Sequence, residues 1–289
     1  MKSLRNYSNI RYYLNDIVQF YRHPENYAKV LVLVEGSKDE YLYKNFFDDS
    51  TTFIKAVEGS RNLEQLDKIL LRDHSEIKCI IIEDSDFNNL DHYKTPIDGN
   101  TFYTDGHDLE MSCLMSTECA SKFCSDIKTN IHLLSTVFED LLLLSYYRWY
   151  NEEYGCHNDF SEVNEDITCL TPEEIKNYSV LSTKVQTNDT RDDSGHLLRA
   201  IEIKEAVLNN FISDNASAKE NSYNLCNGHD FLRRIIYYIQ LGNFCNITTE
   251  RKLFDTIKDN YSLANFLSTS LAMSIGQWGE MNGITLLKE

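Results

Sequence analysis

Short apolar runs recur along the first hundred residues, and stretches with helical periodicity separate them. The apolar runs predict four strands, at 30–34, 51–57, 77–82 and 100–104. Leu63, Leu66 and Leu70 fall on one face of a helix predicted at 62–73. Strands that alternate with helices favour right-handed crossovers and a mostly parallel sheet. The first half is therefore predicted to be an α/β domain.

Another helix is predicted to begin directly after the first strand. Ser37, followed three residues later by Glu40, has the pattern of a capping box. We expect this helix to extend to about Phe47. Asp39 and Glu40 are then acids of the first turn, where a negative charge stabilises the helix N-terminus.

The remainder of the chain has helical periodicity. The segment 1–27, rich in tyrosine and arginine, predicts a helix that forms a lid or an edge. Later helices are predicted at 131–154, 197–213, 229–242 and 249–273. The polar stretch 177–194 predicts a loop or linker. We therefore expect an α/β domain at 28–115 and a mainly helical domain at 116–289, used for docking, dimerisation or substrate contacts.

The charge of the chain excludes one class of nucleic-acid-binding protein. Twenty-eight Lys and Arg stand against 45 Asp and Glu, which gives a formal net charge of −17. Because phosphate neutralisation dominates non-specific nucleic-acid affinity, such a chain is not a simple electrostatic coat protein. An enzyme of this charge would meet nucleic acid through metal ions, a local basic strip or a basic partner.

Hydropathy and cysteine usage indicate the compartment. No apolar run reaches the roughly 18 residues of a membrane span, and the N-terminus lacks the apolar core of a secretory signal. We expect a cytoplasmic protein without membrane association. Because the eight cysteines form no C-x-x-C pair, reduced and mostly buried thiols are expected. The alternative for part of this set is a metal site formed by Cys113, Cys119, Cys124 and His132.

Acidic side chains follow two of the predicted buried strands. Glu35 lies one residue past the first strand, and Asp84 and Asp86 lie just past the third. Functional groups of open α/β sheets gather at the carboxyl ends of strands, so these acids converge if the two strands are neighbours. Clustered carboxylates repel one another unless a cation neutralises them, and such oxygen ligands suit Mg²⁺ or Mn²⁺. The alternative is structural, because an acid after a strand often caps the next helix.

These residues resemble the Toprim fold of topoisomerases, bacterial primases and OLD-family nucleases. Its signature is a strand ending in Glu-Gly and a later strand ending in Asp-x-Asp, here "LVLVEGSKDE" and "IIIEDSDF". The form "VEG-x-x-D-E-x-x-Y" is similar to stand-alone Toprim-like effector nucleases of PARIS-type anti-phage defence, which occur beside an ABC-type ATPase. That family continues with "T-D-x-x-x-x-E", and "YTDGHDLE" places Glu110 on its acid. The resemblance covers about 28–115, with a weaker likeness at the Gly-x-Asp helix start in "NGHDFLRRI".

The resemblance implies a metal-dependent nuclease. Glu35 would be the general acid/base or a metal ligand. Asp84 and Asp86 would hold Mg²⁺ or Mn²⁺, and Glu110 would complete the site. Asn88 stands where some Toprim proteins carry a third acid, which favours Glu110 as the additional ligand. None of the tyrosines has the context of a topoisomerase nucleophile, so hydrolysis is expected rather than strand passage.

Basic residues near these motifs are candidate substrate contacts. Lys38 follows the Glu-Gly turn and could touch a phosphate, or could be a solvated lysine of the first helical turn. His107 could act as a general acid/base or lie in a surface loop. His229, Arg233 and Arg234 could form a basic strip at the later helix start.

Other polar residues near the motifs are predicted to be structural. Asp105 with Asp108 has the spacing of an N-cap and an acid at the third helical position. Asn227 is a good N-cap for the helix that follows it, with Asp230 at the third position.

By resemblance, the chain is expected to be a toxic effector nuclease that acts on RNA (tRNA) or DNA and is a homodimer when active. Its activity would be controlled by an ABC-type ATPase encoded nearby. The chain contains no P-loop pattern, so that ATPase must be a separate chain. The competing hypothesis is a non-catalytic acidic adaptor that uses a Toprim-like scaffold to bind a basic partner.

Overall fold

The computed structural model describes residues 2–91, 99–191 and 197–288. The strands are β1 Val30–Val34, β2 Thr52–Ala56, β3 Cys79–Glu83, β4 Thr101–Tyr103, β5 Thr190–Arg191 and β6 Leu197–Leu198. The α-helices are α1 Lys2–Tyr21, α2 Ser37–Tyr43, α3 Ser60–Asp73, α4 Asn88–Asp91, α5 Leu109–Met115, α6 Thr117–Asp126, α7 His132–Glu153, α8 Ser161–Asp166, α9 Pro172–Ile175, α10 Tyr178–Lys184, α11 Glu205–Asp214, α12 Ser222–Leu225, α13 Gly228–Gly242, α14 Glu250–Asn260, α15 Leu263–Leu267 and α16 Ser270–Asn282. Short 3-10 helices lie at Pro24–Asn26 and Ala216–Asn221.

The chain divides into two compact units with boundaries that differ from the predicted domains. The first unit is formed by the described residues within Met1–Asp84, Lys94–Asp105 and Ser262–Glu289. The second is formed by those within Ser85–Tyr93 and Gly106–Tyr261. The C-terminal helices therefore belong with the sheet, whereas α5, which carries Glu110, belongs with the helical unit.

The first unit contains a four-stranded, fully parallel sheet with the order β2-β1-β3-β4. All five residues of β1 are buried, as expected for a central strand that is covered on both faces. In β2, buried residues alternate with partly exposed ones, as expected for an edge strand with one face toward the core. The predicted α/β class is confirmed for this unit.

Helices α1 and α3 provide the core on one face of the sheet. Ile17 and Tyr21 of α1 join Leu31 and Leu33, whose side chains point to the same face because they are two residues apart. The face of α3 predicted from its leucine spacing, with Leu63, Leu66 and Leu70, is buried in the same cluster.

The C-terminal segment packs beside α2 and β4. Phe266 of α15 stacks on Phe46 with ring centroids 4.6 Å apart. The backbone N–H of Lys288 donates to the carbonyl of Phe46 over 2.8 Å. Trp278 of α16 donates its indole N–H to Asn100 Oδ1 over 2.9 Å. These contacts explain why the last helices belong to the sheet unit, a long-range arrangement that local periodicity does not indicate.

The predicted capping box of α2 is shifted by one residue. Helix α2 is capped at Gly36, whose N–H donates to Asp39 Oδ2 over 2.8 Å. Glu40 instead accepts from the N–H of Ala56 on β2 over 2.9 Å and pairs with Lys44. The helix ends at Tyr43, earlier than predicted.

The second unit consists mainly of helices around α7 and α13. Helix α7 is 22 residues long and its buried side chains include Leu141, Leu144 and Trp149. Helix α13 buries Phe231 and Ile235 among other residues. Both helices were predicted, and their bounds differ from the predicted ones by a single residue.

Three other predicted segments differ from the structure. Residues 177–184 were predicted as loop but form the capped helix α10, while 192–194 of the same stretch lie outside the described residues. The predicted helix at 197–213 begins only at Glu205. The predicted helix at 249–273 is three helices, because Ser262 and Thr269 each act as an N-cap and start a new one.

None of the described helices is both long and apolar enough to cross a lipid bilayer.

Candidate functional site

In the first unit, two predicted acids lie at the ends of neighbouring strands. Strands β1 and β3 pair in parallel, with Val34 opposite Ile82. Glu35 directly follows Val34, and Asp84 directly follows the last residue of β3. Because adjacent strands are about 5 Å apart, both acids lie at the same edge of the sheet. The two strands are neighbours, which is the condition on which the predicted convergence of these acids depends.

Glu35 is held by its backbone and has no cationic partner in the described part of the chain. Its carbonyl accepts the N–H of Gly59 over 3.0 Å. Gly59 has a φ of 111°, and the preceding Glu58 has a φ of 52°, so this loop needs the left-handed region to reach Glu35. The residue is partly buried, and no described lysine, arginine or histidine pairs with its carboxylate. Such an acid can hold a proton, orient a water or ligate a cation.

In the second unit, Asp86 has an unusual backbone. Its φ is +48°, a left-handed conformation that costs free energy for a residue with a side chain. Its N–H donates to the carbonyl of His107 over 2.7 Å, and its carboxylate Oδ1 lies 3.9 Å from His107 Nε2. The side chain of Asp86 is 53% exposed, so it is accessible to a ligand.

His107 is buried, contrary to the predicted alternative of a surface loop histidine. It is 2% exposed, and its backbone N–H donates to the carbonyl of Tyr223 over 2.9 Å. Burial lowers the pKa of His107, while the carboxylate of Asp86 and the backbone groups of Asn224 and Asp86 act to raise it. Its Nδ1 is buried and makes no hydrogen bond to the described residues.

Glu110 lies in the first turn of α5 and is buried beside Asp108. Asp108 is the N-cap of α5, since its Oδ1 accepts the N–H of Met111 over 3.0 Å. Its other oxygen accepts the N–H of Gly228 over 2.6 Å. Burial raises the pKa of Asp108 to about 7, and the carboxylate of Glu110 adds to the shift.

The predicted pairing of Asp105 with Asp108 at one helix start is wrong. The two oxygens of Asp105 accept the N–H groups of Ser270 and Leu271 over 2.8 and 2.9 Å, so Asp105 supports the start of α16. Asp108 caps α5 without it. Both residues are still structural, as predicted, but at two different helices.

The predicted basic strip on α13 is wrong for Arg234. Its side chain is fully buried and donates to Asp140 Oδ2 over 2.9 and 2.6 Å and to the carbonyl of Leu170 over 2.5 Å. A guanidinium in this environment cannot reach a substrate. Positions three and four residues apart share a helix face, so consecutive arginines such as Arg233 and Arg234 point in different directions.

His229 and Arg233 lie nearer the surface and share one acidic partner. His229 Nδ1 is 2.9 Å from Glu250 Oε2, and Arg233 Nε donates to Glu250 Oε1 over 2.8 Å. Burial acts to raise the pKa of Glu250, but the hydrogen bonds from His229 and Arg233 outweigh it and lower that pKa. Both side chains are therefore already bound to the carboxylate of Glu250. Lys38 lies in the first turn of α2, as predicted, but it is partly buried rather than fully solvated.

The local sequence does not predict two ion pairs of the second unit, because their partners are far apart in the chain. Arg148 binds Asp230 through two hydrogen bonds of 2.6 and 3.0 Å, although 82 positions separate them. Asp140 and Arg234 are 94 positions apart. Asp230 is therefore the structural acid of the Gly-x-Asp helix start, and it is 3% exposed.

The donor chemistry fits a hard divalent cation, although no ready-made site is present in the described residues. No three His, Cys, Asp or Glu side chains among them are arranged as a metal site. Glu35 and Asp84 offer carboxylate oxygens, which suit Mg²⁺ or Mn²⁺. The alternative site around Cys119 and Cys124 fits poorly, because burial raises the pKa of these thiols to about 12 and about 11. Metal ligation requires the thiolate.

No protein-family model matches this chain, and no curated protein is detectably similar to it.

Proposed function

We propose that the chain is a metal-dependent nuclease that hydrolyses phosphodiester bonds in nucleic acid, with Glu35, Asp84, Asp86 and Glu110 as its acids. One observation carries the proposal most directly. The two strands that end in the Toprim-like motifs are hydrogen-bonded neighbours in a parallel sheet, so Glu35 and Asp84 lie at one edge. A fold that used these acids only as helix caps would not require the two strands to be adjacent.

The acids have distinct environments that suit distinct roles. A Mg²⁺ or Mn²⁺ ion supplies Lewis-acid polarisation of a phosphate and lowers the pKa of a bound water. Asp84, Asp86 and Glu110 would hold the cation. Glu35, partly buried and without a described cationic partner, would position the attacking water or move its proton.

Regulation by a partner fits the charge of the chain. With a net charge of −17, the protein gains little from general attraction to nucleic acid, so binding must be local and assisted. We propose an effector in anti-phage defence that an ABC-type ATPase controls, that acts as a homodimer in the cytoplasm, and that cleaves RNA (tRNA) or DNA. His229 and Arg233 would contact the substrate once Glu250 is displaced.

The test compares charge-removing variants that preserve shape. Glu35→Gln and Asp84→Asn should fold normally and lose roughly 10³-fold or more in cleavage rate, which corresponds to about 4 kcal/mol of transition-state stabilisation. Glu64→Gln is the control, because Glu64 is an exposed acid on α3 that pairs only with its helix neighbour Lys68 in the described contacts.

The assay follows cleavage of total cellular RNA and DNA by purified protein with Mg²⁺, with Mn²⁺ and with EDTA, in the presence and absence of the neighbouring ATPase. Full activity of Glu35→Gln would contradict the assigned role. If the wild-type protein shows neither carboxylate-dependent cleavage nor a response to either cation, the acidic adaptor hypothesis is supported instead.

A further inference from the structure

We infer that the helix start formed by Asn227 and Gly228 positions two of the proposed acids, Asp86 through His107 and Glu110 through Asp108. The inference rests on the proposed function, which assigns Asp86 and Glu110 to the site. The contacts that carry it all lie within the second unit. The positions of these residues can be tested by NMR without an activity assay.

The orientation of the Asn227 side chain follows from its role as N-cap of α13. Its Oδ1 accepts the N–H groups of His229 and Asp230 over 3.0 and 3.3 Å. The amide nitrogen Nδ2 is therefore the atom 3.4 Å from His107 Nε2. Since Nδ2 can only donate, this contact is a hydrogen bond when Nε2 accepts, which places the proton of a neutral His107 on Nδ1, a buried atom with no hydrogen-bond partner among the described residues.

This tautomer decides how His107 meets Asp86. With Nε2 accepting from Asn227, no hydrogen is available there to donate toward Asp86 Oδ1, which lies 3.9 Å away. His107 instead holds Asp86 through its main chain, where its carbonyl accepts the Asp86 N–H over 2.7 Å. Asn227 therefore keeps the imidazole from binding the Asp86 carboxylate. The left-handed backbone of Asp86 is fixed by the carbonyl of His107.

Gly228 sets the position of Glu110 by close packing. Its N–H donates to Asp108 Oδ2 over 2.6 Å. A Cβ atom at position 228 would lie 2.5 Å from Asp108 Oδ1 and 2.8 Å from Glu110 Cβ. Because the first turn of α5 approaches so closely, only glycine fits without moving Asp108, Glu110 or both.

Capping alone does not explain these two residue types. Ser, Asp and Asn cap helices about equally well, but among them only Asn has an N–H group to donate to His107. Most residues are tolerated at the first position of a helix, yet here any side chain would collide with Asp108. Asn227 and Gly228 are thus explained by the contacts with His107 and Asp108, and not by the capping of α13.

The first experiment reads the tautomer of His107 directly. In the wild-type protein labelled with ¹⁵N-histidine, His107 should be protonated at Nδ1 and unprotonated at Nε2. Asn227→Asp keeps a capping oxygen but places a second oxygen opposite Nε2, so the proton should move to Nε2. His107→Gln identifies the signal by its loss.

Asn177→Asp is the matched control. Asn177 caps α10 in the same way, with Oδ1 accepting the N–H groups of Ser179 and Val180 over 2.9 and 3.4 Å. This variant should leave the His107 signals unchanged. Protonation of His107 at Nε2 in the wild-type protein, or identical signals in Asn227→Asp, would overturn the inference.

The second experiment tests positioning of the acids. Gly228→Ala should shift the backbone amide signals of Glu110, and Asn227→Asp those of Asp86. Gly276→Ala, at a helical glycine with no atom within 4 Å of the added Cβ, should shift neither. If Gly228→Ala fails to fold, Asn227→Asp still decides whether this helix start positions Asp86. Unshifted signals in folded variants would contradict the inference.

Activity separates this inference from the proposed function. If the wild-type protein cleaves, Asn227→Asp should lower kcat by at least about tenfold with little change in KM. Equal losses in Asn227→Asp and Asn177→Asp would overturn the positioning role. If the wild-type protein does not cleave, the proposed function fails, while the histidine and amide signals still decide whether this helix start places the two acids.

Discussion

Two buried carboxylates of the second unit, Asp140 and Asp108, are stabilised in different ways. Asp140 is bound by the guanidinium of Arg234 over 2.6 and 2.9 Å and by the ammonium of Lys176 over 2.9 Å. Among the described residues, Asp108 accepts two backbone N–H groups, and the carboxylate of Glu110 is the neighbouring charge that affects its pKa most. The first region matches a buried acid with cations, and the second places two acids together.

The two environments shift the acid equilibria in opposite directions. Burial acts to raise the pKa of Asp140, but hydrogen bonds from Lys176, Tyr238 and Arg234 outweigh it and lower that pKa. Burial raises the pKa of Asp108 to about 7. Arg234 and Lys176 thus neutralise Asp140, whereas Asp108, the N-cap of α5, lies beside a second carboxylate, that of Glu110.

The largest effect on stability is expected at the structural acid. Arg234→Ala leaves Asp140 buried without its principal partner, and breaking such a pair costs about 3–5 kcal/mol. Arg233→Ala is the matched control, one residue away on the same helix, where a partly exposed pair with Glu250 is worth about 1 kcal/mol. Urea unfolding of both variants measures the difference.

That comparison also tests the corrected assignment of these arginines. Arg233→Ala should weaken substrate binding while leaving the fold intact. Equal loss of stability in the two variants would mean that Arg234 is not the residue on which the Asp140 cluster depends.

The next effect is an opposite dependence of stability on pH. The pKa of Asp108 is higher in the folded chain than its ordinary value of 3.8, so its contribution to stability is complete below about pH 4 and is lost as pH rises through about 7. The pKa of Asp140 is lowered, so its contribution is present above about pH 4 and is lost as pH falls further. Each unit of pKa difference corresponds to about 1.4 kcal/mol.

The variants Asp108→Asn and Asp140→Asn measure this contrast in EDTA. The destabilisation caused by Asp108→Asn should shrink as pH rises from 4 to 8, because the wild-type protein loses stability over that range. The destabilisation caused by Asp140→Asn should shrink as pH falls below 4. Parallel curves for the wild-type protein and both variants would mean that neither environment shifts its acid as described.

The smallest effect is expected at the edge of the structural cluster. Thr171 caps α9, the short helix directly before Lys176, with a reciprocal bond from the Thr171 N–H to Glu174 over 2.8 Å. Thr171→Ala should cost about 1 kcal/mol, the usual value for loss of a cap. The same substitution should leave the His107 signals unchanged, since nothing in the described contacts joins α9 to that residue. A loss near that of Arg234→Ala would show that the cap, rather than the ion pair, organises the cluster.

The sequence predicts the sheet of this protein well for physical reasons. The run of β1 is apolar at every position, and a buried central strand is the ordinary outcome of such a run. The leucine spacing of α3 predicts its buried face in the same way. Glu35 and Asp84 could be placed at one edge because parallel strands bring their carboxyl ends together.

Contacts between distant residues could not be predicted in this way. Nothing near Arg234 indicates that Asp140, 94 positions away, is its partner, so a buried arginine was interpreted as part of a basic strip. The capping role of Asn227 was predictable from its residue type. The second role of its amide, toward His107 across 120 positions, depends on tertiary packing.

The most direct test of the central claim is the change in melting temperature on addition of Mn²⁺ or Mg²⁺. A cation that binds only the folded chain at a hundred times its Kd stabilises by about 2.7 kcal/mol, which is a rise of several degrees. We predict this rise for the wild-type protein and for Glu64→Gln, and its loss in Asp84→Asn and Glu35→Gln. An equal rise in all four proteins, or no rise in the wild-type protein, would contradict a shared cation at the edge of the sheet.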